Sequence, residues 1–331
     1  MKINFVGIDV SARKLDVAVS DEKQKSINFV VENNEAGFQQ LIRKITKGGD
    51  QTRVVMEATG IYSLPLAVAL HDTERCQVMV ANPRQTSNFA KVRMARNKND
   101  SCDARVLLAY AQTMPFLPWQ RPDDTVLELQ NITRRIFHMK EEIGCEKQRL
   151  GGMKFRRQTK CVVNDIEVNI RHLERRVGHL LNSALAIIKS NKVLHELFLL
   201  LISVVGIAEQ SGACILAELM TLPKGLSAPQ WVAHAGLDPR EYSSGSSVHR
   251  PTRISKAGNR YLRAALFMPA FTARQFCPSV KTYTEKLKGR GKKPLQAIIA
   301  VMRKLLHCIW GMFKHQQPFD GDKFYRIRTA S

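Results

Sequence analysis

Apolar positions at the start of the chain come in short runs of strand length. Residues 3 to 10 (INFVGIDV), 15 to 20 (LDVAVS) and 26 to 32 (SINFVVE) are β-branched or alternating, separated by polar turn residues, and predict a three-strand meander. The period then changes. Phe38, Leu41, Ile42 and Ile45 recur at helical spacing within Glu35 to Lys47, followed by a buried-strand run at Arg53 to Met56. A helix at Ser63 to His71, a strand at Gln77 to Ala81 and a helix opened by Pro83 complete the order βββαβαβα. That order predicts an α/β, ribonuclease H-like fold.

Pro115, Pro118 and Pro122 around Trp119 interrupt the pattern and mark a boundary, with Asp123 or Asp124 placed to cap the next helix. Leu129, Ile132, Ile136, Met139, Ile143 and Leu150 form one apolar stripe amid charges, and Ile166, Ile170, Leu173, Val177, Leu180 and Leu181 form another. The stripes predict two long antiparallel helices, a coiled-coil-like spacer with a break at Gly151-Gly152. Beyond Leu197, Ile202-Ser203-Val204-Val205-Gly206-Ile207 leads into a small-residue helix, as in a helix-hairpin-helix, whose hairpin amides can meet a phosphate. Residues 241 to 263 read as a Ser/Gly-rich loop and a basic helix, and an amphipathic helix covers Leu295 to Phe313. The expected domains are 1–113, 114–192 and a mainly α 193–331.

Charge sharpens this division. The 331 residues carry a net charge of +22. Residues 1–113 hold 16 Lys+Arg against 12 Asp+Glu, so the rest of the chain carries +18 of that charge. Such a balance points to a polyanionic partner, nucleic acid first. No uninterrupted apolar run reaches the ~18 residues of a spanning helix, and MKINFVGIDV lacks the pattern of a secretory signal. Seven scattered cysteines without a C-x-x-C pair argue against a disulfide frame or zinc knuckle and fit a reducing cytoplasm.

Four carboxylates stand where this fold can gather them. Asp9 lies in the first strand and Glu57 just after the fourth, parallel neighbours about 4.8 Å apart, while Asp100 and Asp103 share one helix face. Together they suit hard Mg²⁺ and phosphoryl transfer; singly, each also suits a turn or a helix cap. A nucleotide-binding ATPase would need a Gly-rich loop after the first strand, where Val10-Ser11-Ala12-Arg13 stands instead.

GIDVSARKLDVAV (7–19), MEATGIY (56–62), ANPRQT (81–86) and KNDSCDARVLLAYA (98–111) resemble the RuvC-like DEDD domain of the bridge-RNA-guided insertion-sequence transposases. HAGLDPREYSSGSSVHRPTRISKAGNRYLRAALF (234–267) resembles their second, transposase domain. The resemblance implies a guide (bridge) RNA pairing with target and donor DNA, and a covalent phosphoserine formed beside the metal site. Its motif places the nucleophile before a glycine, which selects Ser244, with Ser243 next; without it, the stretch reads as a flexible turn. Arg253, Lys256, Arg260 and Arg263 are candidate phosphate contacts or a solvated helix face, and His249 a loop or nucleic-acid contact.

The expected activity is an Mg²⁺-dependent DNA recombinase acting through Ser244 with Asp9, Glu57, Asp100 and Asp103. Its alternatives are a metal-dependent junction nuclease and a non-catalytic nucleic-acid scaffold. A dimer pairing into a tetramer at synapsis and a cytoplasmic location complete the expectations.

Overall fold

The computed structural model describes residues 3–20, 26–93, 100–153, 160–244 and 248–327, without the side chains of residues 61, 100–102 and 242–251. The chain forms two compact units, Met1–Arg121 and Pro122–Ser331.

The first unit is built on β1 (Ile3–Val10), β2 (Lys14–Ser20) and β3 (Ser26–Glu32), then α1 (Glu35–Ile45), β4 (Gln51–Glu57), α2 (Leu64–His71), β5 (Cys76–Ala81), α3 (Pro83–Val92) and α4 (Asp100–Thr113). The sheet order is β3-β2-β1-β4-β5; β2 runs antiparallel to β1 and β3, and β1, β4 and β5 are parallel. Alternation sorts the side chains onto two faces. Val6, Ile8, Leu15, Val17, Val54 and Met56 pack with Phe38, Leu41, Leu66 and Leu70 of α1 and α2. The other face meets α4: Ala18 packs with Ala104 and Leu108, and Val55 and Met79 with Leu107 and Tyr110. Gly7 permits that approach, because a Cβ there would collide with the backbone of Ala104, Leu107 and Leu108. The proline-rich stretch stays with this unit: the Trp119 amide donates to the Val78 carbonyl (2.6 Å), and Arg121 pairs with Asp72 (2.7 Å).

The second unit begins with two long helices, α5 (Asp124–Met153) and α6 (Lys160–Ser190). The Asp123 carboxylate caps α5 by accepting from the Thr125 amide. The stripes pack together through Ile136, Met139, Ile143, Ile166, Ile170, Leu173 and Val177, and Lys147 bridges to Glu174 (2.8 Å). The break expected at Gly151-Gly152 is displaced by about one residue: both glycines close the last turn of α5, which runs to Met153, and α6 opens at Lys160.

There follow α7 (Lys192–Ile202), α8 (Glu209–Met220), α9 (Ala228–His234), a hairpin of β6 (Pro239–Ser244) and β7 (Val248–Ile254), then α10 (Arg260–Phe276), α11 (Pro278–Gly289) and α12 (Pro294–His315). The hairpin replaces the Ser/Gly loop expected from sequence. β7 (VHRPTRI) carries a proline in its interior and shows no clean alternation, and a register shift between Arg240 and Tyr242 obscures the pairing further. The core joins Leu129 and Ile188, at one end of the long helices, to Leu201, Leu216, Leu262, Leu266, Val301 and Leu305. Among the described residues, α12 alone is long and apolar enough to cross a membrane, and Val301, Leu305, Leu306 and Ile309 on it are fully buried in this core. Its apolar character is that of a core helix.

Candidate functional site

In the first unit, β1 and β4 are in register through Ile8 and Met56, so Asp9 and Glu57 come next along the two strands. Both share the sheet face of Gly7 and Val55, the face covered by α4. The helix runs counter to β1. Its middle lies on Gly7, while Phe116, just beyond its end, packs near the start of the strands, with the Arg53 guanidinium 5.2 Å from its ring. The opposite end of α4, the turn carrying Asp100 and Asp103, therefore lies toward the strand ends that carry Asp9 and Glu57.

Two further residues belong to this acidic end and were not anticipated from sequence. Asp16 on β2 is the register partner of Asp9, is nearly buried, and is held by Lys14 at 3.2 Å. Thr86 on α3, also buried, donates its hydroxyl to Glu57 Oε2 at 2.9 Å and so orients that carboxylate. Asp16 had a signal: a short turn between the first two runs already pairs 9 with 16. Thr86 closes the ANPRQT motif, but its role depends on where α3 lands and is not given by the motif.

Among the described residues no three His, Cys, Asp or Glu groups are gathered as a ready-made metal cluster, and the Asp100 side chain lies outside them. Asp9, Glu57 and Asp103, all described, are thus not drawn together into a site by themselves; only the chemistry of the set, all carboxylate oxygens, is that of a hard divalent cation. Asp9 and Glu57 share one sheet face, and Asp103 lies on the helix that covers it.

In the second unit, Ser243 and Ser244 end β6, register partners of His249 and Val248, and residues 245–247 lie outside the described set. The residues flanking the hairpin form a pedestal. The Asn259 amide donates to the His234 carbonyl (2.6 Å), the Lys256 amide to the Gly236 carbonyl (3.1 Å), and the Ser255 hydroxyl to the Asp238 carboxylate (2.5 Å). Gly258 is required because a Cβ there would strike the His234 carbonyl, and Gly236 takes a left-handed φ of +64°. Asn259 also caps α10 through the Tyr261 and Leu262 amides.

The pedestal is tied to a buried charge. Glu218 on α8, 1% exposed, accepts from Arg134 Nε and Nη2 (2.7 and 2.9 Å), from Gln130 (3.0 Å) and from Asn259 (2.6 Å). His234 lies within 3.3 Å of the Asn259 amide group, and burial holds its pKa below the usual imidazole value. None of this network is legible in the sequence alone.

The four candidate basic residues divide. Arg253 and Lys256 are exposed, Lys256 at a left-handed φ of +51°. Arg260 pairs with Glu141 (2.8 Å) and lies over Phe137 and Tyr261, while Arg263 Nη1 donates to the Ala235 carbonyl (2.7 Å), supporting the pedestal from within.

Comparison with known proteins matches both halves. Residues 6–153 fit a family model described as a transposase, of the DEDD type of IS110, and residues 199–285 fit that of the IS116/IS110/IS902 transposase family. The chain is 29% identical over 329 residues to a pilin gene-inverting protein of Moraxella bovis, covering 97% of this chain and 98% of that relative. A Moraxella lacunata pilin gene-inverting protein matches equally. A 43.6 kDa protein of insertion element IS110 from Streptomyces coelicolor is 31% identical over 140 residues, 41% of this chain and 32% of that one.

Proposed function

The chain belongs to the IS110 family of insertion-sequence transposases, which act on DNA, and from that premise we propose that it cuts and rejoins DNA strands through a phosphoserine at Ser244. The observation that carries the reading is the pairing of two sites in one chain: Asp9 and Glu57 on one sheet face beneath an acidic helical turn, and a serine at the end of a braced hairpin.

The strand order β3-β2-β1-β4-β5, with only β2 antiparallel to its neighbours, supports reading the first unit as a ribonuclease H/RuvC-like domain. Asp9, Glu57, Asp100 and Asp103 would hold Mg²⁺, which when bound stabilises negative charge on a reacting phosphate and offsets the repulsion between that phosphate and the carboxylates. The Ser244 hydroxyl attacks phosphorus and a DNA hydroxyl leaves, so the serine ester takes the place of one phosphodiester bond. A second DNA hydroxyl then attacks the ester and frees Ser244. The bond count is conserved, so rejoining needs no outside energy source. Hydrolysis by the carboxylates alone would not permit that.

The +18 carried outside residues 1–113 supports polyanionic partners, read as the DNA together with a guide RNA, with phosphate contacts at Arg253 and Lys256. The paired helices α5 and α6 are a coiled-coil-like spacer suited to a dimer that pairs into a tetramer at synapsis, and the reaction is placed in the cytoplasm.

The test is trapping of a covalent protein-DNA adduct on cleavable DNA supplied with the RNA. Wild type is expected to form it, while Ser244→Ala, Asp103→Ala and chelation of divalent metal are each expected to abolish it. Full recombination by Ser244→Ala would transfer the role to Ser243. Strand cutting with no adduct in any variant would instead establish the junction nuclease.

A further inference from the structure

The second unit holds a cavity of about 460 Å³ between α5, α8 and α10, within the size range of small-ligand sites. One wall carries two aromatic rings, Phe137 and Tyr261, in edge contact at 5.0 Å. Cations flank them: the Arg134 guanidinium lies 4.7 Å from the Tyr261 ring centre and that of Arg260 5.1 Å from Phe137. Both carboxylates on the wall are already neutralised, Glu218 by Arg134 and Glu141 by Arg260. Lys140, exposed on the same wall, has no ion-pair partner among the described residues. The half-buried amide of Gln210 likewise makes no hydrogen bond among them.

We propose that this cavity binds a single unstacked nucleotide of the nucleic acid on which the enzyme acts, the base against Phe137 and Tyr261 and its phosphate at Lys140. Each group answers one part of such a ligand. Rings and the guanidinium planes lying over them present a mixed stacking surface to any base, a free amide reads a base edge, and an uncompensated ammonium takes the phosphate. Paired carboxylates leave no local charge to repel it. A fully paired duplex has no base to offer without unstacking, so the site selects loops, bulges or single strands. Its position adds meaning, because Tyr261 lies two residues beyond Asn259, the cap that braces the serine hairpin. An occupant would stand next to the pedestal. The inference rests on the DNA-acting family reading but not on the identity of the nucleophile.

The experiment uses the full chain and matched oligonucleotides carrying 5-iodouracil at one position, either unpaired or paired, in DNA and in RNA. Photocrosslinking of wild type is expected to join the unpaired base to Phe137 or Tyr261, and the DNA and RNA arms identify its source. Phe137→Ala is expected to weaken binding of the unpaired oligonucleotide about tenfold relative to the duplex, and Lys140→Ala, an exposed change, to lower the same ratio with an unchanged melting temperature. Crosslinks that map only elsewhere, or an unpaired-to-paired ratio equal in wild type and both variants, overturn the cavity assignment while leaving the DNA-acting reading intact. Failure to bind any of the four oligonucleotides overturns both.

Discussion

Gly7→Ala tests whether the seating of α4 governs the carboxylate geometry. A Cβ at Gly7 would lie 2.7 Å from the Leu107 carbonyl carbon and nearer still to Ala104 and Leu108, where ordinary contact starts at 3.4 Å. All three obstacles are backbone, so no side-chain rotation relieves them, and α4 must move outward by about 1 Å or β1 must bend. Over-packing of this kind costs about 1 to 3 kcal/mol, which lowers the melting temperature of a unit this size by roughly 4 to 12 °C. Activity should fall further than stability. Asp103 rides on the displaced helix, metal ligation tolerates only about 0.2 Å, and a 1 Å misplacement at a reacting centre costs on the order of 100-fold. Strand transfer measured well below the melting temperature, beside a calorimetric melt, separates the two effects. Gly178→Ala is the control, since that helical glycine has open space around it and alanine there should stabilise by up to about 1 kcal/mol. Near-wild-type melting and strand transfer in Gly7→Ala would refute the argument that backbone contact sets the position of Asp103.

Thr86→Val keeps the volume but removes the hydroxyl 2.9 Å from Glu57 Oε2; strand transfer is expected to fall about tenfold or more with little change in melting, and an unaltered rate would show that Glu57 needs no such support. Arg134→Met leaves Glu218 buried with only neutral donors, and chemical denaturation should show a loss of about 3 to 5 kcal/mol that Glu218→Leu in the same chain largely restores. Because burial depresses the His234 pKa, the folded state binds a proton less readily than the unfolded state; stability is full above about pH 6.5 and declines as pH falls through the lower folded value. Melting scans from pH 7.5 to 5.5 should show that decline in wild type and a shallower one in His234→Gln.

The order of elements in the first unit is legible because β1, β2, β4 and β5 bury most of their apolar residues and impose a strand period, while the largely exposed β3 is marked by its β-branched run and flanking polar turns. INFVGIDV predicted β1 to the residue, and Pro83 opens α3 as expected. Glu57 and Asp9 followed from the same pattern, since strand order alone sets them side by side. What escaped were features made by contacts between elements distant in sequence. Nothing in ILAELM (215–220) announces that Glu218 will be buried among Arg134, Gln130 and Asn259, residues 84, 88 and 41 positions away. The hairpin is not legible in the sequence for a related reason. Its residues bury little and alternate poorly, so its form depends on the pedestal beneath it: Gly236, Asp238, Ser255, Gly258 and Asn259 fix the two strand ends through backbone contacts that carry no hydrophobic signal. Those same residues explain why the stretch reads as a dense motif. A serine on an unbraced loop would sample many orientations, and bracing through a buried charge limits that freedom before any substrate arrives. Loosening Glu218 should therefore disturb the serine reaction before it unfolds the unit, because the hydrogen bond from Asn259 is the shortest of the four that Glu218 accepts and joins it directly to the base of the hairpin.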